Sequence, residues 1–313
     1  MPKLHKERVN IYMTNKEYWH GIIPPLITPL TPEKTLDHEG LERTLEHIIN
    51  GGCTGVFIAG STGEPTDLRK EVLLDLIRSS IKIVNNRIPI CCGVIEPGTE
   101  RTIEQIKKVQ NLGIDFVCCT PNFYLSNENG DEIIRHYERI DEQTSVKMMV
   151  YNNLGTTGVD IQAATFFRIS EIDNVIAYKD TRSDWENHLK AIDFVKDKDI
   201  SLISGGEYLL GAGFLLGSNG NIAASSNLFP KLFVELYQAG AIDKDIDKTL
   251  ALSAKIATLN EITRTGQSWL HGIKYAASKL GLCQDIVSGN FSPLNASSKA
   301  QIDRIIEKFS EYR

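Results

Sequence analysis

Five polar segments of the sequence each follow a short apolar run, and one of them contains a lysine. Lys179 comes directly after residues 175–178 and precedes Asp180. A lysine at the end of a buried strand loses hydration, which favours the neutral amine. A neutral amine can attack a ketone carbon, and the protonated imine that results accepts the electron pair of a breaking carbon–carbon bond. An ordinary ion pair with Asp180 is the alternative role for this lysine.

A glycine-rich segment with two hydroxyl side chains, GSTGE at residues 60–64, follows another apolar run. Glycines let the backbone approach a ligand closely, and the N–H groups of such a turn can converge on an anion together with the Ser61 and Thr62 hydroxyls. A simple strand-to-helix turn is the alternative. No GK[ST] sequence follows, so the segment is not a phosphate-binding P-loop.

Two tyrosines follow apolar runs in the same way. Tyr151 ends one run and is followed by Asn152, and Tyr124 comes shortly after Pro121. A tyrosine at the mouth of a site can transfer protons. The alternative for each is a packed side chain whose hydroxyl is satisfied within the protein.

Eight short apolar runs alternate with helical patterns and would position these side chains. Each run is too short for a helix and too continuously apolar for a half-exposed strand, which is typical of parallel strands buried on both faces. The alternation predicts a (β/α)₈ TIM barrel, whose active site lies at the carboxyl ends of its strands. An open doubly wound sheet is the alternative, but the expected GxGxxG sequence is absent. The runs are residues 22–28, 55–61, 88–94, 116–121, 147–152, 175–180, 201–205 and 221–225.

The 313 residues exceed the length of about 250 that is typical of such a barrel. We predict an N-terminal arm at residues 1–20, the barrel at 21–240 and a small C-terminal helical extension at 241–313. The net charge of −6 gives no reason to expect nucleic acid or an anionic membrane as a partner. No apolar run is long enough to span a bilayer, and the N-terminal residues lack the apolar segment of a secretory signal. The six cysteines lack the spacing of zinc ligands, so we expect buried reduced thiols, no metal and a cytoplasmic protein.

Together these segments resemble the N-acetylneuraminate lyase and dihydrodipicolinate synthase family, which comprises class I, Schiff-base pyruvate aldolases. The resemblance covers about residues 21–294. The GSTGE segment is similar to the family's pyruvate-carboxylate loop, and Tyr151 with Asn152 is similar to its YN motif. Lys179 lies at the family's spacing after Tyr151, where the imine-forming lysine is found. Two further matches are Gly205 and the segment 220–222, which includes Ile222.

Departures from the family pattern bear on the second substrate. The synthases have an arginine five residues after the tyrosine that binds the second substrate's carboxylate, and this chain has Thr156 there. Sugar-acid lyases contact substrate hydroxyls through a threonine and an acidic residue, and Thr181 and Glu207 resemble those positions. Asn153 and Leu154 stand where a V-P or I-P pair is common, so the loop shape is expected to differ.

The resemblance therefore implies a lyase that cleaves, or condenses, a 2-keto-3-deoxy sugar acid or a sialic-acid-like substrate to pyruvate plus an aldehyde. Lys179 would form the imine, Tyr151 would relay protons, and Ser61 and Thr62 would bind the pyruvate carboxylate. No metal or organic cofactor is implied, because the lysine supplies the electron sink. The alternatives are a dihydrodipicolinate-synthase-like condensing enzyme, a keto-sugar-acid dehydratase of the same family, and a keto-acid-binding protein without turnover.

The resemblance also implies a homotetramer in which a tyrosine of a neighbouring subunit completes the proton relay. Tyr124 is the candidate for this third catalytic residue. It lies three residues after Pro121, whereas many relatives place the tyrosine two residues after, where this chain has Phe123.

Overall fold

A barrel of eight parallel strands forms the centre of the protein. The computed structural model describes residues 13–125, 129–182, 184–266 and 268–313. Within these residues the strands pair in the order β1-β8-β7-β6-β5-β4-β3-β2, and a parallel bridge between Pro25 and Phe57 joins the β1 segment to β2 and closes the ring. The predicted TIM barrel is confirmed. The strands are β1 Gly21–Ile22, β2 Val56–Ile58, β3 Ile90–Val94, β4 Phe116–Cys119, β5 Met148–Asn152, β6 Val175–Asp180, β7 Ser201–Ser204 and β8 Gly220–Asn221.

Helices surround the barrel and follow the last strand. Asp37 begins the first helix after β1, because its carboxylate accepts the N–H of Gly40 at 2.9 Å. The α-helices of the described residues are α1 Asn15–Tyr18, α2 His38–Asn50, α3 Lys70–Val84, α4 Thr99–Val109, α5 Gly130–Gln143, α6 Leu154–Thr157, α7 Ala163–Ile169, α8 Trp185–Val195, α9 Leu210–Leu216, α10 Pro230–Tyr237, α11 Ile246–Asn260, α12 Trp269–Lys279 and α13 Ala296–Glu307. Short 3₁₀-helices include Ser61–Gly63, Ala224–Asn227 and Glu261–Arg264, and Gln238–Asp243 is a π-helix.

Seven of the eight predicted strands were longer than the observed ones, and the first and last show why. The ladder of β1 ends at Ile22, because Pro24 and Pro25 have no N–H to donate. The chain after β8 turns into the 3₁₀-helix Ala224–Asn227 instead of continuing as a strand to residue 225. Both differences lie at the carboxyl ends of the strands, beside the largest group of predicted site residues.

The described part of the predicted arm, residues 13–20, packs against the amino-terminal end of the barrel. Trp19 is fully buried and meets Phe116 edge to face, with 4.6 Å between ring centroids. Lys16 Nζ donates to the carbonyl of Val195 at 2.6 Å, at the end of α8. Residues 1–12 lie outside the described residues, and the boundary at residue 240 between barrel and extension stays a prediction.

All six cysteines are buried free thiols, as expected from the sequence. Among the described residues, no cluster of His, Cys, Asp and Glu side chains has the geometry to bind a metal ion. The described helices include none with the length and apolar character needed to cross a membrane.

Candidate active site

A cavity of about 310 Å³ opens at the carboxyl ends of the strands. This is the end of the barrel where enzymes of this fold bind their substrates. The cavity brings together residues from six strand ends and from the helices after the barrel. Eight of the nine predicted site residues line it, and they are Ser61, Thr62, Tyr151, Lys179, Thr181, Gly205, Glu207 and Ile222.

Lys179 and Tyr151 are direct partners in the register of β6 and β5. The Lys179 side chain is 3% exposed, and its Nζ lies 3.8 Å from the centroid of the Tyr151 ring and 5.0 Å from that of Phe57. The amine thus lies beside two aromatic rings where it reaches the cavity.

An ion pair with Asp180 does not occupy Lys179. The Asp180 carboxylate is instead bound by Arg182, at 2.9 Å between Oδ2 and Nη2. Across the described residues, no carboxylate forms an ion pair with Lys179. The structural alternative for this lysine is therefore not supported, and its amine faces the ligand space.

The GSTGE segment forms a tight turn at the end of β2. Ser61–Gly63 is a 3₁₀-helix, and Glu64 follows it in the left-handed conformation with φ +61°. Thr28 Oγ1 donates to the carbonyl of Gly63 at 2.6 Å. The Glu64 carboxylate points away into the protein, where it accepts the N–H and the hydroxyl of Ser288 at 2.5 and 2.6 Å. The contacts of Gly63 and Glu64 thus fix the turn within the protein, while Ser61 and Thr62 line the cavity.

A polar side chain of the cavity wall, Thr181, directly follows β6. The hydroxyl of Thr181 is buried and has no hydrogen-bond partner among the described residues, so it is available to a ligand. A Cβ atom at Gly205 would lie 2.1 Å from Thr181 Oγ1, so only glycine leaves room for this hydroxyl.

Glu207 faces the same space from the segment after β7. Its Oε1 accepts the N–H of Ser225 at 3.1 Å and the Ser225 hydroxyl at 2.9 Å. Burial raises the pKa of Glu207, and the hydrogen bonds from Ser225 act in the opposite direction. The carboxyl group is held in place and can exchange a hydrogen bond with a substrate hydroxyl.

Seven further residues line the cavity that the sequence did not identify as site residues, among them Asn153, Thr263 and Trp269. Thr263 and Trp269 come from the 3₁₀-helix Glu261–Arg264 and the start of α12. No local pattern distinguishes them from other helix residues. Asn153 was noted only as a departure from the family pattern, yet its Nδ2 donates to the Tyr151 hydroxyl at 2.8 Å.

Tyr124 does not line the cavity of its own chain. It lies in the turn after β4 with φ +77°, and its side chain is 88% exposed. A catalytic role for Tyr124 would require a neighbouring subunit, so this role and the homotetramer stay predictions.

Comparisons with known proteins agree with the barrel fold. Residues 18–309 match the family described as the dihydrodipicolinate synthetase family. A 4-hydroxy-tetrahydrodipicolinate synthase of Rickettsia canadensis is 31% identical over 291 residues, which are 93% of this chain and 97% of the relative. The name of this relative favours the synthase alternative over the sugar-acid prediction.

Two solved structures extend this likeness to the whole fold. A dihydrodipicolinate synthase of Bacteroides thetaiotaomicron superposes with a TM-score of 0.87 at 31% identity, and the match covers 92% of this chain and 98% of the other. YagE, a prophage protein of E. coli whose structure contains pyruvate, superposes with a TM-score of 0.88 at 26% identity over 94% of this chain and 99% of the other. The chain therefore belongs to the dihydrodipicolinate synthetase family of Schiff-base, pyruvate-dependent enzymes, and it is an enzyme of the class I aldolase type.

Proposed function

We propose that the chain forms an imine between Lys179 and the keto carbon of pyruvate and uses it to make or break a carbon–carbon bond at pyruvate C3. One observation carries this proposal. The Lys179 amine faces the cavity without an ion-pair partner among the described residues, beside Tyr151 on the neighbouring strand. The complex of a family member with pyruvate supports the choice of keto acid.

The proton transfers of imine formation can be assigned to Tyr151. Attack of the amine on the keto carbon gives a carbinolamine, and Tyr151 donates its proton to the departing hydroxyl group, which leaves as water. The resulting tyrosinate then takes a proton from C3, and the C–H electron pair forms the enamine double bond while the iminium nitrogen becomes neutral. In the condensing direction the enamine carbon attacks the aldehyde carbon, the nitrogen becomes an iminium again, and the Tyr151 hydroxyl gives its proton to the aldehyde oxygen. Water then hydrolyses the iminium and frees Lys179, and cleavage is the reverse sequence.

The Ser61–Gly63 turn is the proposed site of the pyruvate carboxylate. It offers backbone N–H groups and two hydroxyls at the cavity wall, and such convergent donors suit an anion. This orientation would bring the keto carbon toward Lys179.

For the second substrate we propose an aldehyde that bears hydroxyl groups, so that the cleavage substrate is a 2-keto-3-deoxy sugar acid or a relative of it. Thr156 lines the cavity where the synthases have an arginine, and a hydroxyl cannot replace a bidentate guanidinium. Among the described residues that line the cavity, Lys179 is the only lysine or arginine. Glu207 and Thr181 offer hydrogen bonds to hydroxyl groups of a substrate. A carboxylated tail would meet like charge at Glu207.

A synthase that condenses pyruvate with aspartate semialdehyde is the second candidate. The similarity to the Rickettsia canadensis synthase, at 31% identity over nearly the whole chain, favours it. A synthase would need a cationic group for the second carboxylate. Arg182 is engaged by Asp160 and Asp180, at 2.7 and 2.9 Å.

Borohydride trapping followed by a substrate panel tests both levels of the proposal. Pyruvate with borohydride should inactivate the protein and add mass at Lys179, and Lys179→Arg should abolish both trapping and turnover. Pyruvate release is then measured across 2-keto-3-deoxy sugar acids, beside condensation of pyruvate with aspartate semialdehyde. Binding of pyruvate without trapping would indicate a binding protein and contradict the imine. Efficient use of aspartate semialdehyde without sugar-acid cleavage would establish the synthase instead.

A further inference from the structure

A side-chain amide contacts the hydroxyl that carries the proposed proton transfers. Asn153 Nδ2 lies 2.8 Å from Tyr151 Oη, and both side chains are buried, at 8% and 3% exposure. In the part of the chain that the structure describes, no other side chain forms a hydrogen bond with this hydroxyl. Asn153 also lines the cavity, so the contact occurs at the ligand space.

The backbone of Asn153 is held independently of its side chain. Its carbonyl begins helix α6 by accepting the N–H groups of Thr156 and Thr157 at 3.1 and 3.0 Å, and it accepts the Thr157 hydroxyl at 2.9 Å. The Asn153 side chain takes no part in this cap. The side-chain amide is therefore available to donate a hydrogen bond to Tyr151. A substitution of Asn153 should leave the start of helix α6 intact, because only the backbone of this residue forms the cap.

The chemistry of an amide differs from that of the apolar residue common at this position in the family. Valine or isoleucine cannot donate to a phenolic oxygen, whereas an amide N–H stabilises negative charge that develops there. In the reaction proposed above, that charge exists between the loss of water and the removal of the C3 proton. Because Asn153 and Tyr151 are both buried, a hydrogen bond to a charged oxygen is stronger here than in water.

We propose that Asn153 is a positioning residue for Tyr151, which fixes the phenol in the cavity and stabilises the tyrosinate through its Nδ2–H group. This inference rests on the proposed function of Lys179 and Tyr151. It assigns this chain a proton-relay partner from within the same subunit, one residue beyond the YN motif. Tyr124, the partner expected from a neighbouring subunit, lies outside the cavity of its own chain.

Exchange of the C3 protons of pyruvate with D₂O, followed by proton NMR, tests this role without the second substrate. Asn153→Val removes the hydrogen-bond donor. Asn153→Asp keeps the shape of the side chain, but its carboxylate accepts hydrogen bonds instead of donating them and repels a negatively charged tyrosinate. Both variants should exchange C3 protons about 10–100-fold more slowly than the wild type, as expected for a lost hydrogen bond to a charged group. The yield of borohydride-trapped Lys179 should stay unchanged, because the amine and carboxylate sites are intact.

Each outcome decides the question. Exchange at the wild-type rate in either variant contradicts donation from Asn153. An exchange rate that falls only in proportion to the trapped imine contradicts it as well, since that result indicates a loss of fold or of pyruvate binding. Trapping in the wild type with unaltered exchange in the variants removes the Asn153 role alone. Absence of trapping in the wild type removes the proposed function together with it.

Discussion

Glu64 and Lys274 form a buried ion pair that joins the proposed carboxylate-binding turn to helix α12, with 2.8 Å between Oε1 and Nζ. Their side chains are at most 1% exposed. Lys274 Nζ also donates to the carbonyls of Thr28 and Ile286, each at 2.6 Å. The region after the barrel therefore helps to hold the turn that contains Ser61 and Thr62.

Lys274→Met should destabilise the protein by about 3–5 kcal/mol, because it leaves the buried Glu64 carboxylate without its counter-charge. It should also raise the KM for pyruvate more than it lowers kcat, since Glu64 directly follows the turn. Denaturant unfolding and pyruvate titration measure the two effects. Lys279→Met on the same helix is the control, because its pair with Asp303 is exposed and should contribute at most about 1 kcal/mol. Equal stabilities of the two variants would contradict the structural role of the pair.

Tyr151→Phe should lower kcat by about 10²–10⁴-fold, because the proton relay is lost. Pyruvate should still bind, and Lys179 should still be trapped but more slowly, because the amine remains while the acid that assists loss of water is missing. Steady-state kinetics and mass spectrometry measure this. Tyr178→Phe is a matched control, since Tyr178 lies on the outer face of β6 and its hydroxyl bonds to Asn152 at 3.1 Å. A folded Tyr151→Phe protein with near-normal kcat would remove Tyr151 from the mechanism.

Glu207→Gln should change the preference among aldehydes, because it keeps the shape of the side chain and removes its charge. The ratio of kcat/KM between hydroxylated and unhydroxylated aldehydes should fall by about tenfold or more, as for a hydrogen bond to a charged group. C3 proton exchange of pyruvate should persist. Glu311→Gln, on the exposed C-terminal segment, serves as the control. An unchanged ratio would exclude Glu207 from substrate selection.

Stability should fall as the pH drops from about 6.5 to 4, in part because of His136. Burial lowers the pKa of His136 from its usual 6.5 to about 4. Nε2 of its neutral ring lies 3.1 Å from the Thr120 carbonyl, and Nδ1 lies 2.9 Å from the Thr99 hydroxyl. The unfolded chain therefore binds this proton at a higher pH than the folded chain, so acid favours unfolding.

This pKa difference lowers the free energy of unfolding by at most about 3 kcal/mol at the acid end of this pH range. His136→Gln should flatten the pH dependence of the unfolding free energy between pH 6.5 and 4, with little change of slope above pH 6.5. An identical slope in the His136 variant would show that this histidine does not contribute.

Tyr124 should matter for catalysis only in an assembly. If a neighbouring subunit donates it, Tyr124→Phe should lower kcat without weakening pyruvate trapping, and specific activity should fall on dilution as subunits separate. Light scattering with activity measured on the same samples checks this, and Tyr208→Phe controls for another exposed tyrosine. A fully active monomer would exclude a donated tyrosine.

Much of the fold and part of the site could be predicted from local sequence. The apolar runs and the helical patterns between them predicted all eight strands, because burial on both faces leaves little choice of residue. Lys179 and Tyr151 were identified because a polar residue that ends such a run lies at the carboxyl end of a strand, however the helices pack. The lengths of the first and last strands were missed, since prolines and a 3₁₀-helix interrupt the ladder.

Contacts between distant segments could not be predicted in this way. Thr263 and Trp269 reach the cavity because the chain after the barrel folds back over its carboxyl end. The ion pair between Lys274 and Glu64 and the hydrogen bond between Asn153 and Tyr151 depend on how the backbone places each pair of residues in three dimensions. Periodicity reports which face of an element is buried, whereas hydrogen bonds and ion pairs depend on the mutual placement of several elements.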